Sequence, residues 1–331
     1  MNLRSIASLL FLLLILIAPS LQAQTKIIFD TDFGGDADDL GALAMLHYFI
    51  DTKEADLLAI MSWSHESRVV SAIDAVNRYY GHPDIPIGIR SHDPYQEDWH
   101  YTGPLADQLP HQKTNSDAPL AVDLYRQILA AQPDQSVKLV TVGPLKNIQD
   151  LIQSKPDQHS PLTGLKLMEQ KINEMVVMGG KFPAGENEWN FDGGMSNVTQ
   201  FVFEKIDIPV VFSGYEIGFP IKTGAAFNDL ANDHPLYLGW MHFSKNAPWM
   251  KENFEGKILD NASYDQTAIL YAVKGGIGNW WDKKDDGYLK IEADGDNQWV
   301  KGESRNQSYL VLRKDPDQMA DLIESIMLHR K

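Results

Sequence analysis

Short unbroken apolar runs alternate along the chain with longer stretches whose apolar positions recur every three to four residues. Ile27-Ile28-Phe29, preceded by Lys26, read as a buried parallel strand, and Leu40 to Ile50 as a helix. Leu57 to Met61 is a second strand. Val69 to Tyr80 is helical and is closed by the breaker His82-Pro83-Asp84, and Ile85 to Ile89 is a third short strand. Pro119 marks the start of a helix from Leu120 to Ala130. Val137 to Val142 is a strand, followed by Gly143-Pro144-Leu145-Lys146-Asn147 and a helix running to Ser154. Strands at Met175 to Met178 and Ile208 to Phe212 enclose a helix from Ser196 to Glu204. This alternation predicts an α/β fold with an open, mostly parallel sheet flanked by helices. Near the end, Gly287 to Ile291 and Ser308 to Leu312 pattern as a small β-hairpin, and Asp315-Pro316-Asp317 opens a final helix from Gln318 to Leu328. Ser91 to Thr114 lacks a period and carries Tyr95, Trp99, His100 and Tyr101, as expected of a functional loop.

The polar positions add a sharper signal. Asp30, Asp32, Asp36, Asp38 and Asp39 fall within ten residues, just after the first strand, with no lysine or arginine among them. Carboxylates this close cannot all be buried unpaired. A hard divalent cation with oxygen ligands would neutralise them. Their place, at the carboxyl end of a strand, is where open α/β sheets put ligand sites. An EF-hand does not fit, because the twelfth position is Gly41 counted from Asp30 and Leu43 counted from Asp32. Haloacid-dehalogenase-like phosphatases want a threonine or valine where Gly34 stands. A solvated acidic turn capping the next helix would need fewer acids.

Composition narrows the setting. The chain has 331 residues, no cysteine and a net charge of -16. Asn2-Leu3-Arg4, the apolar run Leu9 to Ile17 and Ala18 to Ala23 read as a secretory signal peptide, residues 1–23, cleaved after Ala23. The exported, periplasmic or secreted, chain would carry 28 basic and 45 acidic residues, a net charge of -17. Such a surface disfavours nucleic acid polymers and stable association with anionic membranes, and suits a small-molecule substrate. No repeat or Gly/Ser linker divides residues 24–331, so they are expected to form one domain.

The aspartate run, its strand and the following Leu40-Gly41-Ala42-Leu43 resemble the signature of the inosine-uridine-preferring nucleoside hydrolase family, usually Asp-x-Asp-Pro-Gly-x-Asp-Asp. Here Phe33 replaces the proline and two extra residues precede Asp38-Asp39, similar to a variant branch with an expanded turn. Gly143-Pro144-Leu145-Lys146-Asn147 resembles the family's Gly-Pro-Leu-Thr-Asn. Met178-Gly179-Gly180 resembles its Met-Gly-Gly, and Glu188-Trp189-Asn190 its Glu-Phe-Asn. Tyr264-Asp265 stands where it has His-Asp.

The resemblance implies a Rossmann-like core and a calcium-dependent N-ribohydrolase that frees a base and a pentose from a nucleoside-like substrate, as a homodimer or homotetramer. It makes Asp32, Asp39, Asp265 and the Val142 carbonyl the Ca2+ ligands. Asp32 is also the general base for the attacking water. Asp38 holds the ribose diol, and Glu188 and Asn190 the rest of the sugar. Trp189 and His65 are expected beside the substrate. Carboxylates around an oxocarbenium-like sugar suit this chemistry. The departures lie on the leaving-group side. Tyr264 replaces a histidine, and His65, His92 and His100 are candidate replacement acids. Trp63-Ser64-His65 and Phe182 stand where asparagines are expected. Glu216 is a further candidate for the pocket, Asp30 is expected to be structural, and Asp36 has no assigned task. Hydrolysis of another N- or O-glycoside, or sugar binding without turnover, are the alternatives.

Overall fold

The computed structural model describes residues 24–195 and 197–329. The signal peptide expected at 1–23 lies outside them. In chain order the strands are β1 (Thr25–Thr31), β2 (Ala55–Ser62), β3 (Ile87–Ile89), β4 (Val137–Thr141), β5 (Ile172–Met178), β6 (Ala184–Gly185), β7 (Val210–Ser213), β8 (Lys222–Thr223), β9 (Asn261–Ala262), β10 (Trp281–Lys284), β11 (Gly287–Ile291), β12 (Asn297–Lys301) and β13 (Gln307–Leu312). Eight of them form one sheet in the order β10-β13-β7-β5-β4-β1-β2-β3. Every pairing in it is parallel except β10 with β13.

The central strands are apolar on both faces because helices cover both. Ile27 and Phe29 point into one core and Ile28 into the other. From β1 the chain winds one way through β2 and β3, and the other way through β4, β5 and β7. The crevice at the ends of β1 and β4 is therefore the switch point of the sheet. Helix Asp38–Asp51 leaves β1 toward it and packs against helix Tyr264–Lys274. That packing sets the amino ends of two helices, 227 positions apart at Asp38 and Asp265, side by side.

Two local expectations change. The C-terminal antiparallel hairpin and the final helix, Pro316–Met327, are present, but β11 pairs with β12. The strand from Ser308 instead joins the main sheet as β13, between β10 and β7. Its period of two fits either partner, and the intervening polar Asn297–Lys301 hides a strand. The aperiodic stretch 91–114 also contains a helix, Thr102–Gln108, too short to show a helical period.

Candidate active site

Asp30, the first acid of the run, is spent on the scaffold. Its Oδ2 accepts the Tyr125 hydroxyl at 2.7 Å, and both its oxygens take the Asn147 side-chain N–H group at 3.2 Å. Burial raises its carboxyl to about 7 despite these bonds. The asparagine that ends the Gly143–Asn147 turn thus holds the aspartate that ends β1. Gly143 has its own reason: a Cβ there would lie 2.8 Å from the Asp32 backbone nitrogen.

The expanded turn is fixed from two sides. Gly34, at φ +133°, donates its N–H to the Tyr101 hydroxyl at 3.0 Å, and its carbonyl accepts the Tyr101 N–H at 3.0 Å. Tyr101, from the stretch expected to be a functional loop, is buried and structural. On the other side Asn261 of β9 donates its side-chain N–H to Asp36 Oδ1. Asp36 therefore ties the turn to the segment leading into Asp265.

Asp38, Asp39 and Asp265 are buried, and each offers an oxygen within 4.8 Å of the others. Burial first, and repulsion from neighbouring aspartates of the cluster and of the expanded turn next, raise all three carboxyls well above their ordinary range. Asp39 accepts the Thr31 hydroxyl, and Asp38 the Asp265 backbone N–H at 3.3 Å. Asp32 lies beside this triplet rather than in it. Its Oδ2 accepts the Trp189 indole N–H at 2.8 Å, and burial raises its carboxyl to about 6. The Val142 carbonyl accepts from Asn190 Nδ2 at 2.8 Å, and Asn190 Oδ1 is buried with no partner. Among the described residues no lysine or arginine pairs with any of these carboxylates. An all-oxygen donor set with uncompensated negative charge fits a hard divalent cation.

These groups floor a cavity of about 920 Å³ walled by Trp63, Tyr95, Trp99, Trp189, Trp249 and Tyr264. Trp189 is 54% exposed although its indole N–H reaches Asp32. Glu188 caps the short helix Trp189–Asp192 and accepts backbone N–H groups of Gly180 (2.7 Å), Asn190 (3.1 Å) and Phe191 (3.1 Å). Burial nonetheless raises its carboxyl to about 7. The Tyr264 ring lies 5.1 Å from that of Tyr215, centroid to centroid, and burial and that neighbour push its hydroxyl far above its ordinary value.

Of the three candidate histidines, His100 lines the cavity. Its Nδ1 is buried behind Gly34 without a partner, and its Nε2 lies toward Gly35, another residue of the cavity wall. His65 stands outside the wall, with Nδ1 on the Asp93 carbonyl at 2.5 Å and its ring edge-on to Tyr95. His92 is held by the Ala118 carbonyl at 2.9 Å. Glu216 turns away to accept the Phe182 N–H at 3.0 Å, and its neighbour Tyr215 faces the cavity. Sequence reasoning gave no site role to Trp63, Lys181, Tyr215 or Trp249. The first three follow the ends of β2, β5 and β7, a usable signal in a parallel sheet; Trp249 carries none.

The model of the inosine-uridine preferring nucleoside hydrolase family matches residues 27–319. No curated protein matches the sequence significantly. Among solved structures, the plant nucleoside hydrolase PpNRh1 is 16% identical, with a TM-score of 0.65 over 92% of this chain and 98% of its own. The effector protein XOO4466 is 14% identical, with a TM-score of 0.67 over 99% of both chains. The inosine-uridine preferring nucleoside hydrolase from Bacillus anthracis is 15% identical, with a TM-score of 0.60 over 92% of this chain and 99% of its own. These likenesses show a shared fold, and the family match extends over almost all of the described residues. The chain belongs to the inosine-uridine preferring nucleoside hydrolase family and is a hydrolase acting on N-glycosyl compounds.

Proposed function

We propose that the protein is a calcium-dependent ribohydrolase that releases a free base and a pentose from a nucleoside or close relative. The observation that carries this reading is the buried carboxylate cluster, without a protein cation, flooring an aromatic-walled cavity. Asp39, Asp265, Asp32 and the Val142 carbonyl would hold the ion. Several carboxylates and carbonyls together offer more oxygen than magnesium, which keeps most of its waters, demands. Bound there, calcium would orient the sugar diol and acidify the attacking water.

The chain's own residues supply the rest. Asp38, whose Oδ2 accepts the Asp265 backbone N–H, would take a sugar hydroxyl on its other oxygen. Asp32 accepts the proton of the attacking water, and the Trp189 N–H fixes the direction of its carboxylate. The surrounding carboxylates favour the developing positive charge of the sugar. A substrate panel tests this. Base release from nucleosides should disappear with a chelator, return with calcium, and fall about 10²- to 10⁴-fold in Asp32→Asn. Calcium-dependent ribose binding with no release from any substrate would instead leave a binding protein.

The leaving base needs a hydrogen-bond donor. Tyr264 stays protonated, and its raised pKa makes it a donor or stacking partner rather than an acid. His100 is the one of the three candidate histidines that lines the cavity, so it is assigned the donor to the base. His100→Ala is expected to slow nucleosides by about 10²-fold or more and to spare p-nitrophenyl riboside, whose leaving group needs no proton. Tyr264→Phe should cost less on both. Equal losses of His100→Ala on the two substrates would remove this assignment.

A further inference from the structure

Seven acidic side chains line the cavity, and among its described lining Lys181 is the one lysine or arginine. It directly follows Gly179-Gly180 at the end of β5. Its Nζ donates to the Glu186 carbonyl at 2.7 Å and lies 5.2 Å over the Tyr215 ring. Those contacts hold the ammonium by a backbone oxygen and an aromatic face. Among the described residues no carboxylate lies within ion-pair distance of it. In a cavity this acidic, a lysine with no ion-pair partner among the described residues leaves its ammonium available to something that enters. It is also not at a dead end. A second concavity, of about 660 Å³, shares Lys181 and Asn187 with the first and continues past Asn297, Gln298 and the Lys290–Glu292 ion pair, with Glu186 and Asp296 also in its lining. A group seated on Lys181 can therefore extend outward.

We propose that Lys181 binds an anionic substituent of the substrate, so that the preferred substrate is a charged glycoside, such as a nucleotide, rather than a neutral nucleoside. This rests on the ribohydrolase reading for the word substrate, but not for the binding itself. The anion has two chemical sources, a phosphate ester on the sugar or a carboxylate on the base. Lysine suits either as a compact point charge.

The test is binding to the full chain supplied with calcium, followed by quenching of the cavity tryptophans. The probes are ribose against ribose 5-phosphate, and uracil against orotate. One anion of the two pairs should bind about 10-fold or more tighter than its neutral partner. Lys181→Gln should bring that ratio to near one, and Lys181→Arg should preserve most of it. A gain with ribose 5-phosphate places the charge on the sugar, and a gain with orotate places it on the base. No gain for either anion overturns the proposal, as does a gain that survives in Lys181→Gln. Base release from uridine, uridine 5′-monophosphate and orotidine separates the two readings. Turnover with no preference for charge overturns the Lys181 proposal and leaves the hydrolase. Lys181-dependent anion binding with no turnover supports the proposal and removes the hydrolase.

Discussion

Asp39→Asn should abolish calcium binding and lower base release on the order of 10³-fold or more, the scale of several kcal/mol of lost charge stabilisation. Asp39 is 2% exposed, shares the triplet with Asp38 and Asp265, and takes the Thr31 hydroxyl on Oδ1. Asparagine keeps the size and one oxygen for Thr31, so the fold should survive. The substitution removes one negative charge from a donor set whose affinity comes from charge count. Calorimetric titration with calcium and kcat/KM on one nucleoside should fall together. A variant that loses turnover but binds calcium as tightly as the parent would refute Asp39 as a ligand.

The second large effect couples pH, metal and stability. Asp30 and Glu188 are raised to about 7 and Asp32 to about 6, chiefly by burial. A carboxyl whose folded value is raised holds its proton more tightly in the fold than in the unfolded chain. Its contribution is full below the unfolded value near pH 4 and is lost as pH rises through 6 to 7. The metal-free protein should therefore lose stability between about pH 4 and 7, by several kcal/mol, a large share of a domain's usual margin. On the proposed reading calcium would bind the ionised carboxylates, so it should restore more at pH 7 than at pH 5. At about 100 times its dissociation constant it adds about 2.7 kcal/mol. Thermal unfolding at both pH values, with chelator and with calcium, measures this. A chelated protein that melts higher at pH 7 than at pH 5 would contradict it.

Much of the fold was legible because the sheet is buried on both faces. Uninterrupted apolar runs such as Ile27-Ile28-Phe29, bounded by polar turns, suit a strand covered from both sides and little else. The Asp-rich turn was legible because five acids without a base demand a cation. The hairpin partner was not, since a period of two says that a strand exists but not what it pairs with. The jobs of individual site residues were also partly hidden. Tyr101 and Trp99 stand in one aromatic loop, yet one bolts Gly34 and the other faces the cavity. His65 and His100 look alike as letters, and what separates them is that a carbonyl occupies the first and a glycine turn backs the second. Lys181 could not be weighed at all before its lack of an acidic partner was visible.

The pairing of Asp38 and Asp39 with Asp265 has a kinetic side. These donors sit on helices separated by more than two thirds of the chain. Closing so long a loop is among the slowest and most entropically costly steps available to this topology. The first helix can form early against its own strand, but the binding site exists only once the last third has docked. A bound ion therefore ties down an association absent from the early barrier. Such ties slow unfolding and leave the folding rate almost untouched. For this protein, the ion would act as a latch on lifetime rather than as a nucleus for assembly.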